Sequence, residues 1–129
     1  MVATRILVVE DENVIREMMA EALSGAGFGV DQATDAEMAE ALLEADGYGL
    51  LVTDIHMPGR YDGLDLAERT HAAKPDMPIL VVTGRPDALG RLEGSNLQMS
   101  ALIKPFRLAE LVKAVRTLVG PETPDLRPA

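Results

Sequence analysis

Short runs of consecutive apolar residues alternate along this chain with stretches in which apolar residues recur at helical spacing. Arg5–Val9, Pro78–Thr83 and Ser100–Ile103 are runs of the first kind, Leu50–Thr53 is the central one, and Val30–Ala33 is a weaker fifth. A strand covered on both faces reads as continuous hydrophobe, whereas a half-exposed strand alternates. After the first run, Ile15, Met18, Met19, Ala22 and Leu23 share a helical face, with Asp11 or Asn13 as cap and Gly25 and Gly27 as stop. Asp35–Ala45 predicts a second helix with Met38, Ala41, Leu42 and Ala45 inward, broken by Gly47 and Gly49. Gly63–Ala73 predicts a third, ended by Lys74-Pro75. Leu108, Leu111, Val112, Val115, Leu118 and Val119 form the cleanest apolar stripe. Gly84–Ser95 occupies a helix's place in the alternation, but Gly84, Pro86, Gly90 and Gly94 work against it, so a short or mobile segment is expected. A strand–helix unit repeated five times calls for an α/β fold, a five-stranded parallel sheet with helices on both faces. Residues 1–120 form one domain on this reading, and the proline-bearing residues 121–129 a flexible tail.

Composition narrows the function classes. At 129 residues the chain can bury a core without staples. Cysteine is absent, which removes disulfides and thiolate metal sites and points to a reducing, cytoplasmic setting. No apolar run approaches the length of a membrane span. With 21 acidic against 12 basic residues the net charge is −9, which argues against direct nucleic-acid binding. Tyr48, Tyr61, Phe28 and Phe106 are the only aromatics, too few for a base-stacking surface. The seven methionines fall mostly on inward faces and read as core filler.

Four of the runs end in polar groups that chemistry can use: Glu10-Asp11, Asp54, Thr83 and Lys104. In a parallel sheet these ends share one edge, where ligands bind in open α/β folds. Crowded carboxylates repel, and either the ammonium of Lys104 or a hard divalent cation relieves them. Mg2+ takes carboxylate, carbonyl and water oxygens, and no His pair stands at ligand spacing to favour zinc. An aspartate in such company is a candidate nucleophile for phosphoryl transfer, with Thr83 as a hydroxyl donor. Alternatively, Asp54 merely caps the turn at Pro58-Gly59.

The ordered set ILVVEDE, LLVTDIHMPG with a following DG, ILVVTG and LIKPF resembles the receiver domain of bacterial two-component response regulators, over about Arg5 to Val119. The resemblance implies a flavodoxin-like, doubly wound (βα)5 fold. It also implies that Asp54 accepts a phosphoryl group from a phosphohistidine on a sensor histidine kinase or histidine phosphotransferase. Mg2+ would be held by Asp11, Asp54 and the backbone carbonyl of His56, with Glu10 acting through a water. Thr83 and Lys104 would contact the phosphoryl group, and the Lys104–Pro105 peptide would be cis. The first helix (Asn13, Val14, Glu17, Glu21) and the Pro105-Phe106 loop would dock the donor. The leading expectation is a stand-alone receiver, not an enzyme beyond assisting its own phosphorylation and dephosphorylation, whose output would be contact with a downstream protein. Like its relatives, the chain could pair as a homodimer.

The chain departs from that family in two places. Ala101 stands where relatives carry the aromatic ring that swings with the threonine, so phosphorylation is expected to reorganise Gly84–Ser95 instead. The loop MPGRYDG is one residue longer than usual, and Arg60-Tyr61 is expected to bulge outward as a tolerated insertion or a partner contact. His56 and Arg85 either flank the acyl phosphate or lie in solvent. Other assignments stay open: a fragment of a hybrid kinase or longer regulator, or a small aspartyl-nucleophile phosphohydrolase. Glu10-Asp11-Glu12 after the first strand would repel the phosphate of a flavodoxin-like cofactor, and the presence of Asp11, Asp54, Thr83 and Lys104 argues against a non-phosphorylated pseudo-receiver. The switch expectation has a direct check. Beryllofluoride with Mg2+ should change amide exchange across Gly84–Ser95 by hydrogen–deuterium mass spectrometry, and unchanged exchange there would end it.

Overall fold

The computed structural model describes residues 4–45, 47–85, 87, 90 and 99–120. Strands β1 (Arg5–Val9), β2 (Gly29–Ala33), β3 (Tyr48–Asp54), β4 (Ile79–Thr83) and β5 (Ser100–Ile103) form one parallel sheet in the order β2-β1-β3-β4-β5. Helices α1 (Asn13–Gly25), α2 (Ala36–Leu43), α3 (Gly63–Ala73) and α4 (Leu108–Val119) cover its two faces. The expected mobile stretch Gly84–Ser95 lies outside the described residues apart from positions 84, 85, 87 and 90, and so does the tail 121–129.

Continuous hydrophobe makes buried strands here because alternate residues serve opposite faces. Leu7, Val9, Leu51 and Val81 pack on one side with Ala39 and Leu43 of α2 and Leu64 and Ala67 of α3. Ile6, Val8, Leu50, Val52, Leu80 and Val82 pack on the other with Met19 and Leu23 of α1 and Leu111 and Val115 of α4. The strand order reverses direction at β1, with β2 on one side and β3 on the other. That reversal opens a crevice at the carboxyl ends of β1 and β3.

Two helix faces differ from the sequence reading. In α1 the buried residues are Arg16, Met19, Ala20 and Leu23, and Met18 is 50% exposed. The stripe is rotated toward an arginine that polarity argues against, and the residue at the cap position is Glu12, without a side-chain capping bond. In α2 the inward residues are Ala36, Ala39 and Leu43 rather than Met38, Ala41 and Ala45. Small side chains let that helix lie close to the sheet, and Met38 stays 45% exposed with its sulfur near the Thr34 hydroxyl. Two of the methionines read as core filler are therefore on the surface. Gly49, read as a helix breaker, stands inside β3.

The entry to α3 leaves the least room for a side chain among the described glycines. Asp62 and Asp65 form a capping box, the Asp62 carboxylate accepting the Leu64 and Asp65 amides at 3.0 and 2.9 Å. Gly63 follows, its N–H donating to the Ile55 carbonyl at 2.8 Å. A β-carbon on Gly63 would stand 1.6 Å from the Asp54 carbonyl oxygen and 2.7 Å from its carbon, main-chain atoms that cannot rotate away. Gly63→Ala should therefore lower stability by about 3 kcal/mol, the upper end for overpacking. Urea denaturation should show this as a lower midpoint at unchanged slope.

Candidate functional site

Register sets the rim. Val9 pairs across from Thr53, Asp54 from Val82 and Thr83 from Ile103, so β1, β3, β4 and β5 end level with one another. The next residue after β1 is Glu10, whose amide donates to Ala33 at the end of β2. The next after β5 is Lys104, whose amide donates to the Thr83 carbonyl at 2.8 Å.

Carboxylate oxygens of Glu10, Asp11 and Asp54 all lie within 4.8 Å of one another. Glu10 and Asp54 are buried and Asp11 is exposed. The Lys104 Nζ donates to Glu10 Oε1 and to Asp54 Oδ2, each at 2.8 Å. The second Glu10 oxygen accepts the Glu12 amide at 3.1 Å, and Asp54 Oδ1 accepts the His56 amide at 3.2 Å. Burial pushes the Glu10 carboxyl up to about 7, against the pull of Lys104 and the Glu12 amide and with help from the charge of Asp54. Burial also works to lower the Lys104 ammonium, but its bonds to Asp54 and Glu10 outweigh it and hold the group above its ordinary value. The donor set is hard oxygen, at a spacing one small divalent cation can span, and so suits Mg2+.

Other residues singled out in the sequence take varied places. Thr83 is fully buried at the end of β4, its hydroxyl accepting the Arg85 amide at 3.0 Å and donating to the Arg85 carbonyl at 3.3 Å. The side chains of His56 and Arg85 are exposed. The Lys104–Pro105 peptide is cis. Ala101 pairs with Val81 and is exposed, leaving no ring beside Thr83 on that strand. Beside Lys104, Ile15, Met18, Met19, Pro105 and Phe106 line an apolar groove between α1 and the loop after β5.

The lengthened loop does not simply bulge into solvent. Tyr61 is half-buried against the α2–α3 side of the core, its hydroxyl 2.5 Å from Glu40 Oε1. The Arg69 guanidinium lies 4.8 Å from its ring centre and bonds Glu40 at 2.7 Å. Arg60 is the outward residue of the pair, 4.0 Å from Glu37. Arg16, whose guanidinium bonds the Glu10 carbonyl at 3.0 Å, supports the rim and was not singled out from the sequence, whereas Gly63 stood there as the glycine of the DG pair and the start of a helix. The signal for Arg16 is its place with Met19, Ala20 and Leu23 on one helical stripe.

A family model described as the response regulator receiver domain matches residues 6–116. The response regulator MprA of Mycolicibacterium vanbaalenii is 37% identical over 122 residues, covering 94% of this chain and 52% of the relative. Among solved structures, the response regulator protein TrrA of Thermotoga maritima, in complex with Mg2+-BeF, superposes with TM-score 0.81 at 33% identity, over 89% of this chain and 98% of that one. The non-phosphorylated HemR receiver domain of Leptospira biflexa gives TM-score 0.82 at 31% identity, over 94% and 98%. The chain spans about half the length of the curated relatives it matches. Among the described residues, no helix is long and apolar enough to cross a membrane.

Three carboxylates against one ammonium leave the metal-free rim with surplus negative charge. Asp11→Asn should therefore raise stability by up to about 1 kcal/mol in EDTA, the modest value fitting an exposed carboxylate. The same change should sharply reduce, without removing, the stabilisation by added MgCl2, since Glu10 and Asp54 remain, and paired denaturation curves check both.

Proposed function

The chain belongs to the response regulator receiver domain family, and on that premise we propose that Asp54 is its phosphoryl acceptor, charged from a phosphohistidine on a sensor histidine kinase or histidine phosphotransferase. The nitrogen–phosphorus bond breaks as an Asp54 carboxylate oxygen forms the new oxygen–phosphorus bond, and the imidazole keeps the electron pair. The observation that carries this reading is the pair of 2.8 Å bonds from Lys104 Nζ to Asp54 and Glu10. They hold a positive charge on the acceptor carboxylate, where charge on a transferring phosphoryl group needs offsetting.

Asp11, Asp54 and the His56 backbone carbonyl would hold Mg2+, with Glu10 acting through a water, and the ion when bound offsets charge on the phosphoryl oxygens. Thr83 would donate its hydroxyl to a phosphoryl oxygen, releasing the Arg85 carbonyl to do so. The donor would seat on the apolar groove between α1 and the Pro105-Phe106 loop, where Met18 stands half-exposed next to Lys104. The phosphorylated state would be read through contact with another protein or domain. The half-length match to the MprA proteins supports placing this unit within a longer regulator, and a stand-alone receiver would use the same acceptor chemistry.

Acetyl phosphate with Mg2+ should label the chain to a limit of one phosphoryl group, read by intact mass. Asp54→Asn should remove the label, and Lys104→Met should slow its appearance by about a hundredfold, as for loss of a preorganised charge donor. Continuous turnover of a small phosphate ester with no accumulating label would instead identify an aspartyl phosphohydrolase.

A further inference from the structure

Arg16 is the one buried arginine among the described residues, and it is only 8% exposed. Among those residues its guanidinium meets no carboxylate: Nη1 donates to the Glu10 carbonyl and Nε to Gln32 Oε1 of β2, both at 3.0 Å. A buried cation satisfied by neutral acceptors alone costs more than a paired one, so packing does not account for its choice. Its Glu10 bond fixes the peptide that leads into Asp11. The Asp11 side chain is exposed and makes no hydrogen bond or ion pair among the described residues, so its backbone, which fixes the β-carbon and hence the reach of the carboxylate, is what ties it to the rim. That backbone has two anchors from outside the turn: the Glu10 amide on Ala33 at 3.1 Å, and the Glu10 carbonyl on Arg16.

We infer that Arg16, oriented by Gln32, is a positioning residue for the cation-binding rim, pinning the Glu10–Asp11 peptide so that the Asp11 carboxylate is held beside Asp54. Both contacts use the planar fork of the guanidinium, which lets one side chain brace the ends of β1 and β2 together. The inference rests on the proposed Mg2+ site and assigns to it a supporting residue that touches neither the ion nor the phosphoryl group.

Calorimetric titration with MgCl2 tests it, on the natural chain, Arg16→Met, Gln32→Ala, Asp11→Asn and the double variant Arg16→Met/Asp11→Asn, each confirmed folded by circular dichroism. Arg16→Met should weaken Mg2+ binding about tenfold, as loss of an outer-shell partner does. Gln32→Ala, a change at an exposed residue, should weaken it in the same direction by less, and keeps the test available if Arg16→Met does not fold. In the Asp11→Asn background the loss of Arg16 should cost nothing further, because the carboxylate it positions is gone. Unchanged affinity in Arg16→Met, or in Gln32→Ala where the former does not fold, overturns the assignment. So does a loss that adds in full to that of Asp11→Asn, since a merely structural residue would behave that way. Natural protein that takes up no Mg2+, or takes it up equally well as Asp11→Asn, overturns the metal site itself and is distinguishable from either result.

Discussion

The ammonium of Lys104 stands 2.8 Å from both Glu10 and Asp54, residues 94 and 50 positions away in the chain. Two buried carboxylates sharing a rim with a third would otherwise repel, and even with Lys104 and the Glu12 amide pulling it down, burial and the charge of Asp54 push Glu10 up to about 7. The same lysine is partly buried, and its own desolvation is offset only because both acids accept from it. Each charge is thus tolerable only in the presence of the others. The rim is a mutual dependence rather than a set of separate residues, and it requires β1, β3 and β5 to finish at a common level. A one-residue slip of any of these strands would turn its terminal group to the other face and break the arrangement.

The doubly wound topology supplies that common level. Because every crossover returns to a parallel strand, all strand ends with functional side chains lie on one edge, and the reversal at β1 leaves space between them. The helices contribute differently to this edge. α1 sends Arg16 back to the main chain of Glu10 from within its buried stripe. α3 begins so close to Asp54 that only glycine fits at its first position. α2 and α3 are also tied at the surface through Tyr61, Glu40 and Arg69, which absorbs the extra loop residue on the flank away from Lys104.

The sheet, its order of elements and the rim acids were legible because consecutive apolar residues ending in a charge leave few other readings. Arg5–Val9, Gly63–Ala73 and Ser100–Ile103 have the bounds the pattern predicts. Helix faces were less legible where size mattered more than hydrophobicity. Ala36 and Ala39 line the inner side of α2 while the more apolar Met38 stays outside. Arg16 escaped because pattern reading discards charges from an inward stripe, although its main-chain acceptor lies six residues away and is invisible in the sequence. Tyr61 was expected to bulge outward with Arg60, as a tolerated insertion or a partner contact, because its partners Glu40 and Arg69 come from two separate helices. For Arg16 and Tyr61 what decided the outcome was a contact made by folding rather than a property of the residue.

At most junctions between a strand and the helix that follows, side-chain methylenes act as padding and take up small movements. At Gly63 there is none: the first residue of α3 rests bare against the main chain of Asp54. The joint therefore has no play. With a main-chain oxygen standing where a side chain would be, the aspartate's peptide cannot tilt toward that helix without displacing its first turn.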